Sequence, residues 1–337
     1  MVNVESVRKA LPGAPRLSVS KGLITVGTAT VLLFVVSALA APSSTSGTSL
    51  RGMLPIASVL AVAGLGQMLV IQQGGIDLSV AGAISMTVVL VTHIPDGNNA
   101  KLAPAILVAL GFAVAAGIVN GLLIGTLLLN PIIATLGTNA LLYGANLMIS
   151  GGRPRITTHL LGSLTGGRTA GIPNAVFFAA GALLLVTVLV RRTVAGRRFE
   201  AIGANPLAAR AVGLRVKLHA SAAYVWAQLL YCLAGVMLAG ITAQPSAFEG
   251  DSFLLISVAV VVLGGTSLLG GRGFPLATVV AAVFLQQLVQ FVVALGVSTA
   301  VQNVVQAVAL AIGVSLYTLN WRALWSRLPG SRRAVAA

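Results

Sequence analysis

The sequence has little charge, few acidic residues and almost no cysteine. Of its 337 residues only 8% are charged, while 57% are hydrophobic. Soluble globular domains carry about 25% charged residues, so this composition excludes a soluble enzyme and a disordered chain. The net charge of +15 comes from only 21 Lys and Arg residues, too few to indicate a nucleic-acid partner. The single Cys232 excludes an internal disulfide framework and fits no metal-ligand spacing.

Motifs for energy conversion and catalysis are also missing. The sequence contains no G-x-x-x-x-G-K-[ST] loop, so we do not expect the chain to bind ATP by itself. Ser, His and Asp residues do not cluster as a triad, and His93, His159 and His219 fall at predicted membrane edges or in a loop. We therefore expect no catalytic residue, no metal and no cofactor.

Long apolar runs are the main feature that is present, and the mean hydropathy is +0.99. A spanning helix needs about 20 mostly apolar residues, and helices are the default because hydrocarbon offers no partner for backbone polar groups. We predict an all-α, polytopic membrane helix bundle of about ten transmembrane helices with broken or re-entrant helices, and a retained first helix rather than a cleaved signal peptide. The predicted spans are 23–41, 52–73, 76–92, 102–128, 132–150, 174–190, 218–241, 253–269, 274–296 and 300–319.

Basic residues predict the orientation, because short cytoplasmic loops are rich in Lys and Arg. Most of them lie in the N-terminal tail, in the loop 191–217 and in the C-terminal tail. Six predicted spans separate the first two segments and four separate the last two, so both termini are predicted to be cytoplasmic. The predicted organisation is a tail at 1–22, a transmembrane domain at 23–320 and a tail at 321–337. Glu249 and Asp251 then fall in an outer loop.

Asp77 is the one acidic residue inside the apolar part of the first half. A charge at membrane depth is costly and is typically functional. Gly74 and Gly75 precede it and Ser79 follows it, which indicates a helix break and the start of a new helix. Two interpretations stay open: Asp77 and Ser79 cap the next helix, or they act in gating or coupling.

A partial echo of this stretch begins at Gly264 and Gly265. Transporters often contain internal repeats whose broken helices meet near the substrate path. The echo predicts a second break, and the topology places both breaks near the cytoplasmic side. We therefore expect Arg272 to lie within reach of Asp77 and to form an ion pair with it.

The loop 191–217 contains start and stop signals for a short helix. Asn caps it, Pro occupies its first turn and Gly closes it. Such a helix either lies on anionic lipid or docks a cytoplasmic partner, and docking is favoured because a chain without a motor needs one. The residues assigned to this element are Asn205, Pro206, Ala208, Ala209, Arg210 and Gly213.

Amide side chains recur at helical spacing within the predicted spans. Residues spaced by four or seven share one helix face, and Asn and Gln also join helices in membranes. Taken together, amides with almost no charge suit an uncharged, hydroxyl-rich substrate better than an ion. The candidate path residues are Asn139, Asn146, Gln286, Gln290, Gln302 and Gln306.

Four stretches together carry a family resemblance. They are 74–80, 130–138, 196–205 with 208–210, and 262–273. In this order, and over about residues 50 to 320, the chain resembles the permease subunits of bacterial ABC importers for simple sugars, a family that includes permeases for ribose, galactose, xylose and autoinducer-2.

The resemblance implies a transport subunit of the bacterial plasma membrane that moves a simple sugar or similar neutral polyol by alternating access. It implies cytoplasmic ABC ATPase subunits, an extracytoplasmic sugar-binding protein, a second permease copy or sister permease, and membrane lipids, but no nucleic acid. Residues 205–213 match the region where the ATPase docks. The sequence departs from the family at Ala81, where Gly is usual, and at Pro206-Leu207, where an acid often precedes the paired alanines.

Two other classes of protein remain as alternatives. A proton-coupled secondary transporter would use Asp77 as its proton relay, since a lone intramembrane acid fits that chemistry. A membrane scaffold that transports nothing would have no need of Gly-rich breaks or amides.

Overall fold

The computed structural model describes residues 20–298, 300–302, 304–305, 307–308 and 311. Within these residues the regular secondary structure is almost entirely helical. The helices of six or more residues are α1 Lys21–Ala40, α2 Gly47–Gln72, α3 Val80–His93, α4 Leu102–Gly121, α5 Pro131–Ser150, α6 Asn174–Arg192, α7 Val194–Ala204, α8 Pro206–Ala211, α9 Val216–Ile241, α10 Leu254–Leu263 and α11 Pro275–Ala294. A π-helical turn, Leu122–Thr126, extends α4. The strands β1 Arg168–Thr169 and β2 Ile172–Pro173 form a small antiparallel hairpin, in which Arg168 pairs with Pro173.

Seven helices in the described residues are long and apolar enough to cross a membrane. They are α1, α2, α4, α5, α6, α9 and α11. The predicted polytopic helical bundle is confirmed, but the count of ten spans is not. The spans predicted at 76–92 and 253–269 become α3 and α10, with only 14 and 10 residues, because a glycine-rich break shortens each. The span predicted at 300–319 lies largely outside the described residues.

Helix α2 is the centre of the bundle. Its residues from Ala57 to Gln72 are buried without interruption, and α6, α9, α10 and α11 all pack against it. Helix α3 is buried from Val80 to Thr92 and packs against α4, α5 and α9. Stretches of helix with no exposed residue can only be accommodated when the other helices surround them.

Glycines set the distance between α4 and α9. Gly117, Gly121 and Gly125 recur every four residues and face Val225 and Ser221 of α9. A Cβ on Gly117 would lie 2.6 Å from the Cα of Val225. Small residues at this spacing let helix backbones approach closely. Such van der Waals packing holds helices together in a membrane, where the hydrophobic effect does not drive helices to associate because the lipid is itself apolar.

The two ends of the bundle differ in charge. We call the end that carries residues 191–217 the basic end and the opposite end the far end. Helix α9 runs from the basic end at Val216 to the far end at Ile241, a length of about 39 Å for its residues at 1.5 Å each. Helix α2 reaches the basic end at Gln72, and α3 then starts part-way up the bundle, beside Gln228 of α9.

Replacing Gly117 by Ala is expected to destabilise the protein by about 1 to 3 kcal/mol, because the added methyl group meets backbone and forces α4 away from α9. Gly111 of the same helix is the matched control, since nothing lies within 4 Å of its Cβ position. The midpoint of thermal unfolding in detergent is the measurement. Equal midpoints for Gly117→Ala and Gly111→Ala contradict the close approach.

Candidate functional site

The two glycine-rich breaks meet at the basic end. The first break comprises residues 73–79 and the second comprises residues 264–274. The Gly271 N–H donates to the carbonyl of Gln72 at 3.0 Å, and the Cβ position of Gly270 is only 3.1 Å from the nitrogen of Gly74. Gly74 and Gly270 have φ values of +79° and +89°, which favour glycine. The echo between the two halves thus corresponds to two breaks in direct backbone contact.

A three-residue ion cluster joins the second break to α7. The Glu200 carboxylate accepts from Arg191 and from Arg272, each at 3.2 Å. Arg191 also donates to the carbonyl of Gly273. The two guanidinium groups lie 5.7 and 5.9 Å from the ring centroid of Phe274, within the range of cation–π attraction. One carboxylate and one ring therefore hold two arginines where the second break meets α7. We call the region in which the two breaks and α7 contact each other the junction.

The predicted ion pair between Asp77 and Arg272 is wrong. Arg272 pairs with Glu200 at the rim of the basic end, where 56% of its side chain is exposed. Asp77 is 0% exposed. After Gln72 the first break runs into the interior of the bundle. Asp77 is therefore separated from the surface on which Arg272 lies.

Helix α7 also contacts the first break. The Gln73 side chain donates to the carbonyl of Phe199 at 2.9 Å. A Cβ on Gly203 would lie 2.1 Å from the carbonyl oxygen of Gln72, so only glycine fits there. Helix α7 is thus fastened to both breaks, through Gln73 and Gly203 on one side and Glu200 on the other.

A buried polar network surrounds Asp77. One carboxylate oxygen accepts from the Ser79 N–H at 2.9 Å and from its hydroxyl. The Ser79 hydroxyl oxygen accepts from Gln228 at 2.7 Å and from Asn120 at 3.0 Å. Thr138 in turn donates to the amide oxygen of Asn120. The network joins the first break to α4, α5 and α9, and all of its residues are buried.

Side chains also satisfy the backbone of the first break. The Gln67 amide donates to the carbonyl of Asp77 at 3.0 Å and accepts from its N–H at 3.1 Å. The same amide group contacts the Tyr231 hydroxyl at 2.7 Å. The N–H of Leu78 donates to Thr135 at 2.9 Å. These bonds replace water for backbone groups that the break removes from helical pairing.

The capping interpretation of Asp77 and Ser79 holds only in part. Asp77 does accept the N–H of Ser79, the residue before α3, but the Ser79 side chain caps nothing in α3. Asn139 of α5 instead accepts the N–H of Gly82, in the first turn of α3, at 2.7 Å. Because this acceptor comes from another helix, the local sequence did not reveal it. A role of Asp77 in gating or coupling stays a prediction.

The candidate path amides lie in different surroundings. Asn139 and Asn146 share a face of α5 as predicted; Asn139 binds α3, and Asn146 donates to the carbonyl of Ala247. Gln286 and Gln290 are half-buried on α11. Gln302 donates to the carbonyl of Val297 at 3.1 Å, and Gln306 lies outside the described residues. Asn139 and Asn146 fasten α5 to its neighbours, and contact of any of these amides with substrate stays a prediction.

The short helix predicted from the loop 191–217 is present as α8, Pro206–Ala211. The Asn205 side chain accepts from the Ala208 N–H at 3.0 Å, which caps the helix, and Gly213 follows with a φ of +81°. Ala209 is buried, whereas Leu207 and Val212 are 77% and 76% exposed.

Arg210 is exposed as well, so α8 presents an apolar and basic surface to its surroundings. Helix α7 was not predicted from the sequence. The sequence signal for it is Thr193, whose hydroxyl accepts from the Gly196 N–H at 3.0 Å and caps that helix.

Fold and site define a multi-pass helical membrane protein with two broken helices joined to a loop helix. Residues 49–314 match the family described as the permease component of the branched-chain amino acid transport system. The chain belongs to this family, and it is a transport subunit rather than an enzyme.

Curated relatives agree with this assignment. A probable ABC transporter permease, y4mJ of Sinorhizobium fredii, is 31% identical over 82% of this chain and 84% of its own length. The ribose import permease RbsC of Escherichia coli K12 is 34% identical over 80% and 84%. The autoinducer 2 permease LsrC of Enterobacter sp. 638 is 31% identical over 77% and 76%. The resemblance to sugar importer permeases is confirmed, and no solved structure matches the chain significantly.

Replacing Ser79 by Ala is expected to destabilise the bundle by about 1 to 3 kcal/mol, because the amides of Gln228 and Asn120 lose a buried acceptor. Ser252, an exposed residue whose hydroxyl makes one bond of 3.4 Å, is the matched control. The measurement is the midpoint of thermal unfolding in detergent. If Ser79→Ala unfolds at the same midpoint temperature as Ser252→Ala and the wild type, the network contributes nothing to the stability of the bundle.

Proposed function

We propose that the chain is the membrane-spanning permease subunit of an ABC importer for a simple sugar or similar neutral polyol. Two kinds of support converge on the substrate class. Relatives are named as permeases for ribose, galactofuranose and fructose. The interior of the described bundle contains amides and hydroxyls around a single buried carboxylate, which suits hydroxyl-rich neutral molecules rather than ions.

The observation that carries the proposal is the attachment of α7, which leads directly into α8, to both helix breaks. The sequence lacks an ATP-binding loop, so the driving force comes from separate ATPase subunits. Helix α8 offers them a capped, exposed surface with Leu207, Arg210 and Val212. Its connection through α7 to the junction gives a mechanical route from that surface into the bundle.

The proposed assembly follows from this attachment. Two ATPase subunits dock at the basic end, which is cytoplasmic, as are the tails 1–22 and 321–337 that flank the transmembrane domain 23–320. A sugar-binding protein delivers substrate to the far end, and a second permease copy or sister permease completes the path. The protein lies in the plasma membrane of a bacterium, surrounded by lipid.

Alternating access follows from the same geometry. Closure of the ATPases displaces α8, and α7 moves with it. The Glu200 ion cluster transmits this displacement to the second break, while Gly203 and Gln73 transmit it to the first. Because glycine backbones touch there without side chains between them, little displacement is lost. Each break then tilts the half-length helix attached to it.

Replacing Asn205 by Ala is expected to release the ATPase, because loss of the cap costs about 1 kcal/mol in a helix of only 6 residues. Co-purification with a tagged ATPase subunit is the measurement. Asn98→Ala is the matched control, since Asn98 caps a short turn at the far end through Ala100. Undiminished ATPase binding by both Asn205→Ala and Arg210→Ala argues against docking on α8. Sugar uptake by the permease in the absence of any ATPase favours a proton-coupled carrier instead.

Replacing Glu200 by Gln is expected to reduce sugar uptake per ATP hydrolysed several-fold while leaving the complex assembled, because α7 loses its ionic attachment to the second break. Asp96→Asn is the matched control: Asp96 pairs with Arg155 at the far end. The two rates are measured together in proteoliposomes. Unchanged coupling in Glu200→Gln excludes the ion cluster as a transmitting element.

A further inference from the structure

The segment 242–253 returns into the bundle instead of staying at the far end as an outer loop. The Gly250 N–H donates to the Ser85 hydroxyl at 2.9 Å, and a Cβ on Gly250 would lie 2.0 Å from the carbonyl of Ala81. Ser85 precedes the end of α3 at His93 by eight residues, or about 12 Å. The loop predicted at 242–252 thus packs against α3 at Gly250, and Asp251 follows directly; the side of the membrane on which it lies stays a prediction.

Two aromatic rings and a carboxylate meet where this segment passes α5. The rings of Tyr143 and Phe248 lie 5.6 Å apart between centroids, and the Tyr143 hydroxyl donates to the Asp251 carboxylate. Tyr143 precedes the end of α5 at Ser150 by seven residues, or about 10 Å. Both neighbouring helices thus place the cluster at the same depth below the far end.

The cluster is open rather than enclosed. Phe248 is 44% exposed, and Asp251 and Ser252 are exposed as well. This differs from Asp77, whose carboxylate is enclosed by its network. A charged side chain within a membrane span faces a water-filled cavity or another protein rather than lipid. The exposed face of Asp251 therefore fits a water-filled cavity or a subunit contact and not a lipid-facing surface.

The chemistry of the cluster fits one class of ligand. A carboxylate accepts hydrogen bonds from hydroxyl groups, and aromatic faces cover the apolar C–H surface of a ring while the tyrosine hydroxyl supplies a polar contact. Specific sites for small molecules combine apolar walls with a few placed polar groups. A neutral polyhydroxylated ring uses both kinds of contact, whereas an anion is repelled by Asp251.

We propose that Tyr143, Phe248 and Asp251 form a sugar-binding subsite in the translocation path, near the end at which substrate enters. This subsite rests on the proposed function, since it names residues that receive the sugar in this chain. Its position near the far end places it on the side from which the binding protein delivers substrate in the proposed assembly. A second permease copy placed opposite this face closes the path around it.

Thiol labelling tests whether the surface is wet. The native Cys232 is 1% exposed, so background reaction is low. Ser252→Cys in the assembled complex is expected to react with a charged, water-soluble methanethiosulfonate reagent at least about tenfold faster than Leu184→Cys, because the reagent does not reach lipid-facing positions. Leu184 is 67% exposed on the outside of α6. Equal, slow labelling of both positions overturns the proposal.

Sugar uptake tests the ligand. Proteoliposomes containing the whole complex are assayed with D-ribose and D-fructose. Asp251→Asn and Phe248→Ala are expected to lower uptake by about tenfold or more at unchanged complex assembly, since each removes a contact to the sugar. In the Ser252→Cys protein, whichever of the two sugars is transported is expected to slow thiol labelling. Adding Asp251→Asn to that protein is expected to abolish this protection.

Matched controls separate the possible failures. Asp96→Asn removes an exposed far-end acid, and Phe177→Ala removes a ring that is 49% exposed on α6; both are expected to transport normally. If the wild-type complex imports sugar and Asp251→Asn and Phe248→Ala import it at the full rate, the subsite is overturned while the proposed function stands. A wild-type complex that imports no sugar overturns the proposed function, and the subsite with it.

Discussion

Polar groups inside an apolar helical bundle must find their partners within the protein, and the first break shows how far this constraint reaches. The break exposes backbone groups and the Asp77 carboxylate where water cannot compensate them. Gln67 of α2, Asn120 of α4 and Gln228 of α9 converge on it. Three separate helices are held in register around one short segment, so the break organises the bundle rather than weakening it.

Close packing of small residues makes this convergence possible. The glycine face of α4 brings α9 near enough for Asn120 and Gln228 to reach the same hydroxyl of Ser79. At the basic end, Gly203 and Gly270 bring three segments of backbone into contact. Side chains there would separate the segments, and a flexible layer between them would absorb any displacement of α8.

Three polar sites lie along the bundle, and α3 connects the two that are farther from the basic end. The junction with Glu200 is at the basic end, the Asp77 network lies about 18 Å along α9, and the cluster around Asp251 lies near the far end. Helix α3 begins beside Asp77 and contacts Gly250 through Ala81 and Ser85. Helix α3 therefore contacts the first break at its start and the segment that carries Asp251 farther along its length.

Much of the local structure was predictable from the sequence. Apolar runs of sufficient length determine membrane helices because hydrocarbon permits little else, and the cap at Asn205 predicts α8 through contacts within a few residues. The Gly pairs at 74–75 and 264–265 predict both breaks for the same reason. These signals depend on backbone conformation and on neighbours close in the chain.

Contacts between distant segments required the tertiary structure. The partner of Arg272 is Glu200 and not Asp77, the acceptor for the Gly82 N–H comes from Asn139, and the Asp251 carboxylate accepts from the Tyr143 hydroxyl. None of these pairings is adjacent in sequence. Apolar helices of similar composition permit many arrangements, and only their packing decides which polar side chains meet.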